Sequence, residues 1–90
     1  MSDDHSKSLI EYPCHFPIKV MGQMRDDFKQ VITNICQQFD SSFDFNTIEE
    51  RLSKKGNYLG LTVNVYVKNR EQLDEVYRTL STHPYVSVVL

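Results

Sequence analysis

From Tyr58 to Val67 the chain reads YLGLTVNVYV, with Leu59, Leu61, Val63, Val65 and Val67 on one face and Tyr58, Gly60, Thr62, Asn64 and Tyr66 on the other. An unbroken period of two over this length describes a strand with one buried face. Its five aliphatic side chains require a cover, and the remaining segments are read as the elements that supply it.

HFPIKVM, at 15–21, alternates Phe16, Ile18 and Val20 against His15, Lys19 and Met21, which makes a first strand interrupted by Gly22. Met24, Phe28, Val31, Ile32, Ile35 and Phe39 recur at spacings of three and four, one apolar stripe on a helix of about four turns. Asp26 and Asp27 fall in its first turn, where each carboxylate complements the helix dipole by ~0.3–1 kcal/mol. Asp40, Ser41 and Ser42 end the helix. Residues 45–54 read as a charged strand, with Ile48 and Leu52 inward, Glu49 and Arg51 outward, and Glu50 also on the inward side. Asn69 and Gln72 resemble a capping box ahead of Leu73, Val76, Tyr77 and Leu80, a second amphipathic helix. Pro84 follows its end, and the closing YVSVVL is short, β-branched and strand-like.

The order is βαββαβ. Right-handed crossovers over one face of one sheet leave few arrangements for it. The predicted fold is α+β: a ferredoxin-like sandwich with an antiparallel four-stranded sheet in the order 4-1-3-2 and two helices on one face. Strands two and four form the edges. Ninety residues make one domain, and a chain of this size hides only about 60–65% of the surface its unfolded form exposes. Residues 1–8 are polar and read as a flexible tail. Residues 9–90 read as the domain, opening with an arm in which Leu9, Ile10 and Tyr12 pack before Pro13 interrupts regular pairing.

Composition narrows the functional classes. The 40% hydrophobic and 24% charged shares suit a soluble globular domain. A net charge of −2 argues against broad attraction to nucleic acid or anionic membranes, which needs clustered Lys and Arg. Cys14 and Cys36 lack the spacing of a zinc site, and two cysteines are few for a small secreted scaffold. With neither a leader-like start nor an 18-residue apolar run, a cytoplasmic location is expected. Cys36 falls in the helical apolar stretch and reads as a small buried thiol.

The predicted topology brings three loops to one end of the sheet: Gly22 and Gln23 after the first strand, Lys54, Lys55, Gly56 and Asn57 in the hairpin, and Thr82, His83 and Pro84 before the last strand. The first helix also opens there, with unpaired N–H groups that can receive an anion. Gly22, Gln23, Lys54, Lys55, Gly56, Asn57 and His83 define the candidate site for a small anionic metabolite. Each also has a plainer role. Gly22 suits a strand-to-helix turn, Gly56 and Asn57 suit a hairpin turn, and lysines near an edge strand suppress unwanted pairing. Asp26 and Asp27 oppose an anion.

No nucleophile–base arrangement, carboxylate pair, phosphate loop or metal motif stands out, and His5, His15 and His83 lack ligand spacing. The reading is therefore non-enzymatic, with no cofactor and no metal. Tyr58, Tyr66 and Tyr85 with Lys19 on the open face suggest RNA stacking, yet Lys55-Gly56 is followed by Asn57 rather than the aromatic of an RRM motif, so nucleic acid is disfavoured. Val86, Val88, Val89 and Leu90 form an apolar edge open to a homodimer or a partner protein unless the arm covers it.

KVMGQ at 19–23, SKKGNY at 53–58, the alternating strand that follows and the terminal VVL together resemble the YbeD-like family of small bacterial proteins, a domain family of unknown function. The likeness spans 9–90. It implies a ferredoxin-like, ACT-like fold and brings no catalytic activity with it. ACT-like domains bind small molecules near the loop after strand one, often at a subunit interface, and act as regulatory modules; that loop here is Gly22 and Gln23. The leading expectation is a ligand-sensing regulatory module, with an edge-binding adaptor and an RNA-binding module as alternatives.

Overall fold

The computed structural model describes residues 11–90, so the expected tail at 1–8, with Leu9 and Ile10, lies outside the described residues. The strands are β1 (Cys14–Gln23), β2 (Glu49–Leu52), β3 (Tyr58–Val67) and β4 (Val86–Val89), and the helices are α1 (Phe28–Phe39) and α2 (Arg70–Ser81). They make one antiparallel sheet in the order β2-β3-β1-β4, the expected 4-1-3-2 arrangement with β2 and β4 at the edges. Period two sets the faces. Ile18 and Val20 of β1 and all five aliphatic residues of β3 are buried with Phe28, Ile32, Ile35 and Cys36 of α1 and Leu73, Val76 and Leu80 of α2.

Cys36 sits in that core, and burial, helped by the charge of Asp40, pushes its thiol up to about 12. It is a packed apolar group at neutral pH.

Several boundaries move. β1 does not stop at Gly22 but pairs with β3 through Gln23, opposite Tyr58. α1 begins at Phe28, one turn later than the apolar spacing predicts, so Met24 lies before the helix and is 45% exposed. Asp26 and Asp27 consequently do not occupy its first turn. Asp27 holds the N-cap position without a side-chain cap bond. The expected strand over 45–54 is a 3-10 turn, Phe45–Thr47, followed by only four strand residues. Local bonding explains the change: Asp44 Oδ1 accepts from Asn46 N–H, and Thr47 Oγ1 donates to the Asp44 carbonyl. Glu50 and Leu52 do take the helix side, opposite Leu61 and Leu59, yet both stay exposed, Leu52 at 55%.

The second helix start matches its sequence signal with one displacement. Asn69 Oδ1 accepts from Gln72 N–H at 2.8 Å, while Gln72 Oε1 accepts from Lys68 N–H, one residue ahead of the cap itself.

β2 begins opposite Thr62, and among the described residues no strand lies on that side of the far half of β3. There the Asp40 carboxylate stands in, with Oδ2 accepting from Tyr66 N–H at 3.0 Å. On the other side, β4 reaches only as far as the Lys19–Leu90 pair. Lys19 turns its N–H and carbonyl toward Leu90, so by alternation the nitrogen of Pro17 faces the same way, past the end of β4. Proline presents no donor on that stretch, where no strand is paired among the described residues.

Candidate functional site

β1 finishes in the middle of one rim of the sheet, and the loops of its neighbours close on it from both sides. Met24 N–H donates to the Asn57 carbonyl at 2.9 Å, tying the hairpin turn to the chain that leaves β1. Within that turn Gly56 N–H donates to the Ser53 carbonyl, Tyr58 N–H donates to Ser53 Oγ, and Gly56 has φ +74°. On the opposite side Gly22 pairs with Val86 at a register shift in β4, against the Tyr85 carbonyl and the Phe28 ring.

Tyr85 anchors that side of the rim. Its hydroxyl donates to Asp27 Oδ2 at 3.2 Å, the Arg25 guanidinium lies 4.0 Å from its ring centroid, and Arg25 Nε is 3.6 Å from Asp27. His83 Nδ1 accepts from Tyr85 N–H at 3.1 Å, with the two rings edge to face at 4.9 Å. This cluster, absent from the sequence reading, fastens the connector between β1 and α1 to the loop before β4.

Gly22 and Gln23 pair with Leu59 and Tyr58, and the Met24 bond holds Asn57 next to them, so these two loops meet. Lys54 and Lys55 are exposed in the turn and line neither of the two grooves described next. His83 belongs to the Tyr85 cluster on the β4 side, whereas the lysines sit on the β2–β3 side.

The larger groove, about 380 Å³, runs between the start of α1 and β2. Met24, Phe45 and Leu59 supply apolar walls, and Arg25, Asp26, Lys29 and Glu50 supply charge. Lys29 Nζ is 2.7 Å from Glu50 Oε2 and 4.3 Å from the Phe45 ring centroid, so one cation bridges an acid and an aromatic. The pair is partly exposed and contributes at most ~1 kcal/mol to stability. Phe45 is 38% exposed, and Leu52 extends the apolar surface from its ladder position beside Leu59. Sequence spacing alone had assigned Met24 and Leu52 to the core.

A second groove of about 360 Å³ is lined by His15, Asp40, Ser42, Phe43, Asp44, Thr47 and Asn64. Burial pushes the Asp40 carboxyl up, but hydrogen bonds from Ser42 and Tyr66, together with the charge of His15, outweigh it and hold the group below the usual carboxylate range. All of its bonds run to this chain, so the arrangement ties the end of α1 to β3. Among the described residues no group of three or more His, Cys, Asp or Glu side chains is placed to hold a metal ion, and no helix is long and apolar enough to cross a membrane.

An open-faced ferredoxin-like sandwich with a mixed apolar and charged groove beside one edge strand defines a small α+β domain. The solution structure of protein HP0495 from H. pylori has this fold, with a TM-score of 0.76 and 22% identity over 100% of this chain and 94% of that one. By sequence, residues 7–90 match the family described as protein of unknown function (DUF493), and the chain belongs to that family. It is 58% identical to a UPF0250 protein of Ralstonia nicotianae over 93% of this chain and 87% of that protein. A UPF0250 protein of Paraburkholderia phymatum is 53% identical over 94% of this chain and 96% of that protein. The family resemblance drawn from KVMGQ and SKKGNY is thus correct.

Proposed function

We propose that the protein is a small regulatory binding module without chemistry of its own, and that it docks an amphipathic segment of a partner protein in the groove between α1 and β2. The observation that carries this reading is the placing of two large exposed apolar side chains, Met24 and Phe45, in the groove that holds the Lys29–Glu50 pair. Aromatic residues and methionine are enriched at the centres of protein interfaces, where a polar rim surrounds them. The groove is open along its length, which suits a side chain presented from another surface.

Phe45→Glu should leave the fold intact, because Phe45 is already at the surface, and should remove binding. The test compares proteins retained by immobilised wild type and by the variant. A partner specific to wild type is then purified and titrated by calorimetry. A tenfold or greater loss of affinity for Phe45→Glu is expected, and equal retention by both forms would reject the groove as the docking site.

A second reading, sensing of a small anionic metabolite at the rim, is favoured by the Met24–Asn57 tie that brings the hairpin turn against the end of β1. In the same calorimeter, nucleotides and organic acids should then bind wild type and bind more weakly once Lys54 and Lys55 are both alanine. Absence of heat from every compound removes this reading and leaves the groove untouched.

A further inference from the structure

Among the described residues the sheet has four stretches of edge without a strand beside them, and the chain treats them differently: on the far half of β3 the Asp40 carboxylate takes the Tyr66 N–H. β2 carries Glu49, Glu50 and Arg51, charges that discourage a second strand from pairing there. The bare stretch of β1 is blunted by Pro17. The outer edge of β4 has none of these protections: from Pro84 to Leu90 the sequence PYVSVVL contains no charged side chain. Among the described residues no group hydrogen-bonds to that outer side.

We propose that β4 pairs antiparallel with β4 of a second copy, about a two-fold axis through the Val88 to Leu90 stretch, joining two sheets into one of eight strands. Leu90 exchanges both of its main-chain bonds with Lys19, at 2.8 and 3.1 Å, so alternation turns the N–H and carbonyl of Val89 outward, free to bond across the axis. Val88 and Leu90 are 44% and 63% exposed. They pair with Met21 and Lys19 and so stand on the face of the sheet without helices. Pairing about the axis sets this apolar pair beside its own counterpart.

The choice of a second copy as occupant follows from charge. A two-fold antiparallel contact places each residue near its own duplicate, where like charges repel. β2 paired with itself would bring acid near acid, whereas β4 has no charged side chain to duplicate. The strand is only four residues long, so the contact falls below the roughly 1,200–2,000 Å² of stable interfaces and forms a weak dimer. This inference is independent of the groove at β2, which lies at the opposite edge.

Sedimentation equilibrium of the full chain from micromolar to millimolar concentration is the test. The weight-average mass should climb from 10.6 kDa toward twice that value. Val88→Glu and, separately, Leu90→Glu should hold it at the monomer. Both side chains are already exposed, and circular dichroism verifies that each variant is folded; if one misfolds, the other carries the comparison. Mixing Val88→Glu with Val88→Lys protein should restore association, since opposite charges then meet across the axis. A wild-type monomer at millimolar concentration, a dimer indifferent to both glutamates, or failure of the mixture to recover would each overturn the proposal.

Discussion

Gly22→Ala is expected to destabilise the protein by ~3 kcal/mol or more, the largest effect among the three glycines. A Cβ at this position would collide with the Tyr85 carbonyl and stand 2.9 Å from Cζ of Phe28, which is itself fully buried. Neither obstacle is the loose end of a flexible side chain, so relief requires moving β4 away from β1 or displacing the first residue of α1. For a domain of this size ~3 kcal/mol lowers the melting temperature by roughly 12–24 °C. The other two glycines are internal controls for the mechanism. Gly56 has open space around its Cβ direction but a φ of +74°, so alanine there meets only backbone strain, at about 1 kcal/mol. Gly60 would place a Cβ 3.6 Å from the Arg51 carbonyl and from Met21 Cγ, ordinary contacts, and Gly60→Ala should change stability by less than about 1 kcal/mol. Chemical denaturation of the three variants gives the ranking, and equal costs at the three positions would refute the close-approach account of Gly22.

Gly22 also shows how a sequence reading can be right about place and incomplete about cause. Its position after an alternating run reads as the end of a strand, or as an opening for a ligand to approach the backbone. In the fold the backbone that approaches is the chain's own, from the loop before β4. Local signals carried the rest of the architecture well. Period two in β1 and β3 and the three–four spacing in both helices are properties of neighbouring residues, and they gave the element order from which the handedness of crossovers set the order of the strands.

What escaped were residues whose fate depends on distant segments. Met24 lies on the extrapolated stripe of α1, but periodicity cannot tell a residue inside a helix from one just before its cap. Leu52 takes the predicted face of β2, but whether a side chain on that face is covered depends on how far α1 reaches. Phe45 was absorbed into a strand because nothing in its own spacing reveals the Asp44 turn. Two of these three, Met24 and Phe45, are the exposed apolar walls of the candidate groove, so the reading failed where the docking proposal now rests. At the rim, the meeting of loops followed from topology, whereas the Arg25, Asp27, His83 and Tyr85 cluster depends on rotamers that no local pattern encodes.

Asp40 gives the sharpest case of a role invisible in sequence, where Asp40-Ser41-Ser42 reads only as a helix end. Its Oδ1 accepts from Ser42 N–H at 3.1 Å and Ser42 Oγ–H at 2.6 Å, and its Oδ2 accepts from Tyr66 N–H. Asp40 is buried, and the bond to Tyr66 serves a strand that has run out of ladder partner. In Asp40→Ala the Ser42 groups regain water, because Ser42 is exposed, but the Tyr66 donor loses a charged acceptor in a partly enclosed site. A loss of ~2–3 kcal/mol is expected, and Asp40→Asn, which keeps one acceptor oxygen, should lose about half as much. The pH dependence follows from the carboxyl being held below its usual range. Above the unfolded value of ~3.9 both states are ionised and the full contribution is present. As pH falls through that value the unfolded chain takes up the proton first, and the contribution is gone once the folded carboxyl is protonated too. The stability gap between wild type and Asp40→Asn should therefore be present at pH 5 and narrow steadily below pH 4. Urea midpoints across that range measure it, and a gap that stays constant into acid would mean that Asp40 supports the fold by shape and not by charge.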